Sequence, residues 1–273
     1  MINMTLINID QEKCIRCALC SKVCPSSYIT MEDNVPEATG QICISCGHCV
    51  AVCPTAAIDN QNAPLVNQVP LETFPVFDAH TAETFLRSRR SIRQYKSTAV
   101  PKEKILQLLN IARFAPTGGN TQGVGYKVIN KAETLHKITT ATVDWMKEKI
   151  ALGSPLAPYF TSRVEHYRKT SGDIILQNAP CLIVAMAPQS FLPRGRDNTH
   201  FSLAYAELYA PAIGLGTCWA GFFEACAADG YPDLLDLLKL PPNMVVTGAL
   251  MAGYPKYTYK RLVDRNPSQV TWD

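Results

Sequence analysis

Eight of the eleven cysteines stand in the first 53 residues, as two runs of one spacing. The first run is Cys14, Cys17, Cys20 and Cys24; the second, Cys43, Cys46, Cys49 and Cys53, repeats it 29 residues later, and each closes in Cys-Pro, at Pro25 and Pro54. Thiolates are soft metal ligands, and three of them at two-residue gaps can wrap one face of a compact centre. A pair of structural zinc sites needs only four ligands each, so it explains neither the third cysteine of a run nor the trailing proline. The N-terminal MINMTLINID has no basic flank, apolar core or small-residue cleavage site, so no signal peptide is read. A cytoplasmic location is expected, and in a reducing compartment such thiol density points to metal rather than disulfides. His48 lies between Cys46 and Cys49, where every ligand position is already filled, and reads as a surface residue beside the metal.

The double C-x2-C-x2-C-x3-C-P run resembles that of bacterial ferredoxins with two 4Fe–4S clusters. That resemblance implies that the fourth cysteine of each run crosses to the other cluster. Cys14, Cys17, Cys20 and Cys53 would hold one cluster, and Cys43, Cys46, Cys49 and Cys24 the other. Backbone N–H groups between them would point at sulfur and tune the potential.

Four further segments carry chemistry only in combination. They are Arg89-Arg90-Ser91-Ile92-Arg93, the loop Ala115-Pro116-Thr117-Gly118-Gly119-Asn120-Thr121-Gln122, the stretch Gly214–Gly221, and Gly253-Tyr254-Pro255 followed by Lys260-Arg261. Singly they read as a solvated basic run, a glycine-rich turn, a helix stop and an ordinary C-terminal segment. In this order, over residues 80–273, they resemble the nitroreductase family of FMN enzymes. The resemblance implies a domain-intertwined homodimer with FMN at the subunit interface. Arg89 and Ser91 would meet the phosphate, with Arg90 also among the cofactor-binding residues and Lys260 or Arg261 adding positive charge. Arg93 would stand at the flavin N1, where a cation favours the reduced anion. Pro116, Thr117, Gly118, Asn120 and Gln122 form the loop expected at the ring. Cys218, Trp219, Ala220 and Gly221 form the segment expected near N5, where small residues permit close approach. The family often follows the loop glutamine with Pro-Trp; Gly123-Val124 stands there instead, which leaves the ring-edge packing open. Cys181, Cys218 and Cys226 read as small packing residues.

The elements that must position these residues suggest an α+β fold in three stretches: a ferredoxin-type domain over 1–60, an extended linker over 61–79 and a flavin domain over 80–273. Short strands are expected around Leu6–Ile9, Tyr28–Met31 and Ala57–Asp59. Apolar spacing predicts helices over Lys102–Phe114, Thr199–Leu215 (kinked at Pro211) and Asp233–Leu240, and strands over Gly125–Asn130, Ala179–Ala187 and Met244–Gly253. Residues 139–172 are expected to form a helical excursion, whose Trp145, Tyr159, Phe160 and Tyr167 either line a substrate pocket or pack helices.

A net charge of +3 gives no argument for nucleic acid or membrane partners. It is uneven, since residues 1–60 carry three basic and six acidic side chains and are acidic while the rest is basic. The expectation is an FMN oxidoreductase in which two 4Fe–4S clusters exchange electrons with FMN, and FMN reduces a small planar acceptor such as a nitroaromatic or quinone. Ferredoxin or NAD(P)H would be the donor. No catalytic side-chain triad or acid pair is needed or seen. Two alternatives stay open: a dehydrogenase that exports electrons through the clusters, and a non-catalytic carrier or redox sensor. No G-x-G-x-x-G follows a strand, so a Rossmann nicotinamide site is not read.

Overall fold

The computed structural model describes residues 6–40 and 42–273. The chain divides into two compact units: one runs to Val76 and includes Gly119–Thr121, the other comprises Phe77–Gly118 and Gln122–Asp273.

In the first unit the cysteine repeat is also a structural repeat. Strand β1 (Ile7–Ile9) leads to helix α1 (Leu19–Lys22), and strands β2 (Ile29–Glu32) and β3 (Val35–Ala38) form a hairpin before helix α2 (His48–Val52) and strand β4 (Ile58–Asn60). The hairpin turns on Asp33-Asn34, both at positive φ, the backbone that a two-residue hairpin turn needs. Ala18 and Gly47, equivalent across the repeat, both start their helices from left-handed backbone. Strand β1 pairs antiparallel with β4, Ile7 opposite Asn60. The small core is Ile7, Ile29, Val50 and Ile58 with the buried thiols Cys20 and Cys49. So modest a core fits a module that depends on bound metal for much of its stability.

The second unit starts with helix α3 (Ala79–Ser88), capped by Asp78, which accepts from Thr81 N at 3.0 Å. Helix α4 (Lys102–Ala112), strand β5 (Gly125–Ile129), helices α5 (Ala132–Ala151) and α6 (Ala157–Thr170), strand β6 (Cys181–Pro188) and helix α7 (Arg194–Tyr209) follow. Strand β7 (Gly216–Trp219), helices α8 (Gly221–Ala228) and α9 (Pro232–Leu238) and strand β8 (Met244–Gly253) complete it. The four strands form an antiparallel sheet in the order β5-β6-β8-β7. Alternate residues of β6 face opposite cores, as a pleated strand requires. Leu182 and Val184 join the layer of α5, α6, α8 and α9, while Cys181, Ile183 and Ala185 join that of α4 and α7. A sheet covered on both faces explains why β6 is apolar at every position from Cys181 to Ala187.

The helix expected over Thr199–Leu215 begins at Arg194 and gives way at Ala210–Ile213 to a 3-10 turn containing Pro211. Its first turn, Arg-Gly-Arg-Asp, is mostly solvated and shows no apolar stripe, which hid it from periodicity. Gly214–Gly221, read singly as a helix stop, contains strand β7. Gly216 is required there, because a Cβ would lie 2.5 Å from Ile92 Cγ1. Among the described residues no helix is long and apolar enough to cross a membrane.

Candidate functional site

The eight N-terminal cysteines are all unpaired and line two small cavities. Cys24, Cys43, Cys46 and Cys49 line one, with His48 and Asn60; Cys14, Cys17, Cys20 and Cys53 line the other. The last cysteine of each run thus lies with the first three of the other run. Among the described residues, no three His, Cys, Asp or Glu side chains converge closely enough to hold a single metal ion. Four thiols around each cavity suit a polynuclear cluster, whose ligands are shared among several irons.

The backbone prepares two of these sulfurs. Tyr28 N donates to Cys24 Sγ at 3.1 Å, and its repeat counterpart Ala57 N donates to Cys53 Sγ at 3.3 Å. Burial opposes both thiolates, but backbone and hydroxyl donors outweigh it and hold both thiols below the usual range. Burial wins at Cys20 and Cys49, pushing Cys49 up to about 11. Loading metal must therefore drive protons off these buried thiols.

In the second unit the basic run splits between two cavities. Arg89 and Arg90 line one of about 330 Å³, together with Glu207, Thr217, Tyr257 and Tyr259. Arg93 lines another of about 410 Å³, with Tyr159, Phe160, Arg163, Trp219, Gly221 and Phe222. Ser91 makes a parallel bridge to Thr217, so the run is tied to the start of β7. The Tyr159 and Phe222 rings lie 5.7 Å apart in the second cavity, and the Arg163 guanidinium sits 5.3 Å over Tyr159. Of the excursion's aromatics, Tyr159 and Phe160 face this cavity. Trp145 does not line it but packs behind Phe160, with ring centroids 5.3 Å apart, and donates from Nε1 to Asp229 Oδ2 at 2.9 Å; Tyr167 packs against the core beside Thr140.

Glu207 joins the two cavities and carried no sequence signal, since it lies on the buried face of α7, one turn after Leu203. Its Oε2 accepts from Trp219 Nε1 at 2.6 Å. Its Oε1 accepts from Thr217 Oγ1 at 3.3 Å and pairs with the Arg89 guanidinium at 3.5 Å. One carboxylate thus orients a cation in one cavity and an indole in the other. The Glu207 side chain is 6% exposed and that of Arg89 25%. Glu207→Ala leaves a half-buried charge and a buried donor unpaired, and is expected to cost about 2–3 kcal/mol, below the full figure for a sealed pair because Arg89 reaches water. Thermal or chemical unfolding of Glu207→Ala beside Glu207→Gln measures it, with the Gln variant losing less because its amide oxygen still accepts.

The remaining predicted residues lie apart from both cavities. Pro116, Thr117, Gly118, Asn120 and Gln122 line neither. The loop is shaped by left-handed backbone at Gly119, Asn120 and Gln122, and is held by Gln122 N on Thr117 Oγ1 and Gly118 N on Asn198 Oδ1. Lys260 and Arg261 are exposed in the irregular C-terminal segment and also line neither cavity. Ala220 is fully buried just before Gly221. Cys218 is buried, and burial pushes its thiol up, as it does for Cys181 and Cys226, both to about 12. These three suit packing, not nucleophilic attack. A further cavity of about 690 Å³ beside α9 and the start of β8 holds none of the predicted residues.

Gly221, at the first turn of α8, faces open space: a Cβ there would meet nothing within 4 Å. The fold therefore does not need glycine at this position for its own packing.

An Archaeoglobus fulgidus protein named as an NADH dehydrogenase/NAD(P)H nitroreductase is 27% identical over 173 residues, 62% of this chain and 82% of its own. Iodotyrosine deiodinase of Danio rerio is 25% identical over 208 residues, 72% of this chain and 68% of its own. A nitroreductase of Desulfitobacterium hafniense, solved with bound FMN, shares the fold with a TM-score of 0.57 at 17% identity, covering 71% of this chain and 100% of its own. Residues 6–54 match the 4Fe–4S dicluster domain. Residues 86–254 match the nitroreductase family, to which this chain belongs.

Proposed function

We propose that the chain is an FMN-dependent oxidoreductase that passes electrons from its two 4Fe–4S clusters to FMN and on to a small planar acceptor, of the nitroaromatic or quinone kind. The observation that carries this reading is a pair of cavities linked through Glu207, which lines the one with Arg89 and Arg90 and accepts from Trp219 of the other, where Arg93, Arg163, aromatic rings and an open glycine lie.

The residues present fit FMN. Arg89 and Arg90 offer guanidinium donors to a phosphate that carries close to two negative charges. Glu207 holds Arg89 in place and offsets part of its charge. Arg93 places a cation in the ring-side cavity, Gly221 leaves room for a flat ring, and Tyr159 and Phe222 offer faces for a planar acceptor. Arg163 beside them favours acceptors that are electron-poor or carry an anionic group. Bound there, FMN supplies the conversion between single-electron and paired-electron transfer. The clusters supply single electrons, held by Cys14, Cys17, Cys20 and Cys53 on one side and by Cys24, Cys43, Cys46 and Cys49 on the other. Thiol-ligated clusters suit a reducing cytoplasm.

The loop Pro116–Gln122 and the Lys260-Arg261 pair complete the site in this reading from a second copy of the chain, because neither reaches the cavities of its own. Phe201 and Tyr205, one turn apart on α7, are 53% and 40% exposed and offer an apolar face for that copy. Protein purified without oxygen is expected to run as a dimer of 30.1 kDa chains and to carry one flavin and about eight irons per chain, four for each cluster. A folded, reconstituted protein with neither would overturn the proposal.

A further inference from the structure

The two cluster sites match in their cysteines, and one of them carries a buried amide. Asn60, at the end of β4, is 1% exposed. Its Oδ1 accepts from Asn62 N at 2.9 Å, which fixes the amide's orientation and leaves Nδ2 to donate to Cys43 Sγ at 3.9 Å. Asn62 Nδ2 donates in turn to Ser45 Oγ at 3.0 Å, and Ser45 N donates to Cys43 Sγ at 3.4 Å. The turn after β4 is thereby fastened to the loop that carries Cys43. The 29-residue repeat sets Cys14 against Cys43 and Met31 against Asn60. A thioether has no hydrogen to donate, so the amide donor has no counterpart at that position.

An N–H group aimed at a ligating sulfur stabilises negative charge on the cluster, and one-electron reduction adds one such charge. Each donor of this kind raises the reduction potential. We propose that Asn60 sets the two clusters apart in potential, so that the cluster held by Cys24, Cys43, Cys46 and Cys49 accepts the first electron. The step is a single electron from an external low-potential reductant, with no bond made or broken. The alternative role for Asn60 is a clamp on the turn through Asn62 N alone. Asn60→Asp keeps that acceptor and loses the amide donor, so a clamp predicts an unchanged filling order and an unchanged gap in that variant.

The inference rests on both clusters being bound, which an iron count of about eight per chain checks separately. The test is an anaerobic dithionite titration of the full-length holoprotein, followed by electron paramagnetic resonance and by the hyperfine-shifted cysteine β-methylene proton signals. In the unaltered protein the signals of Cys43 and Cys46 are expected to change before those of Cys14 and Cys17. In Asn60→Ala the upper midpoint is expected to fall while the lower one stays, narrowing the gap. Filling of the Cys14 side first, or midpoints that stay put or fall together in Asn60→Ala, would overturn the proposal. Should Asn60→Ala fail to retain its iron, the filling order of the unaltered protein decides alone.

Discussion

Cys53→Ala is expected to remove about four of the eight irons, and those lost belong to the site of Cys14, Cys17 and Cys20, not to the site of its sequence neighbours. Cys53 lines a cavity with the first run, and Cys24 lines the other with the second. The crossing has a consequence that double substitutions expose. Cys53→Ala with Cys14→Ala strikes the same site twice, so iron content should fall no further than in Cys53→Ala alone. Cys53→Ala with Cys43→Ala strikes both sites and should leave almost none. Ligand losses within one cluster are non-additive, and losses in separate clusters add. Iron and sulfide analysis with the visible spectrum reads the result. The reverse pattern, near-total loss in the first pair and half-loss in the second, would show each run binding its own cluster.

Gly221→Val is expected to weaken FMN binding by about fivefold to about 150-fold without unfolding the chain. Glycine in the first turn of a helix lowers stability relative to alanine by up to about 1 kcal/mol. A Cβ at Gly221 would meet nothing within 4 Å, so the fold has no steric reason to keep glycine. What remains is the cavity it faces, shared with Arg93 and Trp219. A side chain pushed into a filled cavity costs about 1–3 kcal/mol, and each 1.4 kcal/mol is tenfold in affinity. Flavin fluorescence titration and melting of the flavin-free protein measure the two quantities. Gly221→Ala gives an intermediate case, with the flavin-free melt unchanged or raised. Unchanged affinity in Gly221→Val would remove Gly221 from the flavin site.

What the sequence showed depended on whether function was written in residue type or in placement. The cysteine runs could be read directly, because cluster ligation demands one side chain at fixed gaps. Strand β6 was legible for a related reason: a strand covered on both faces is apolar without interruption. Helix α7 was found but misplaced, because its first turn is polar and its end turns into the 3-10 segment at Ala210–Ile213. Glu207 was invisible. A single glutamate in an apolar helix has no spacing to betray it, and only the fold brings Arg89, 118 residues away, within reach. The basic run was legible as a group, but its split between two cavities was not. Ser91 bridges to Thr217 between Arg89 and Arg93, and a pairing between distant segments is a tertiary fact. Trp145 and Tyr159 look alike as aromatics on neighbouring helices. One buries its indole N–H on Asp229 while the other faces a cavity, and packing alone separates them.

The most direct test of the central claim, that electrons enter through the clusters and leave through the flavin, is anaerobic stopped-flow absorbance. The holoprotein is mixed in turn with chemically reduced ferredoxin, NADH and NADPH, and the cluster and flavin bands are followed separately. Fast bleaching of the flavin by reduced ferredoxin, with the cluster band changing first, is the predicted result. Fast bleaching by a nicotinamide, with the clusters lagging, would contradict it and make the cysteine-rich unit an exit for electrons.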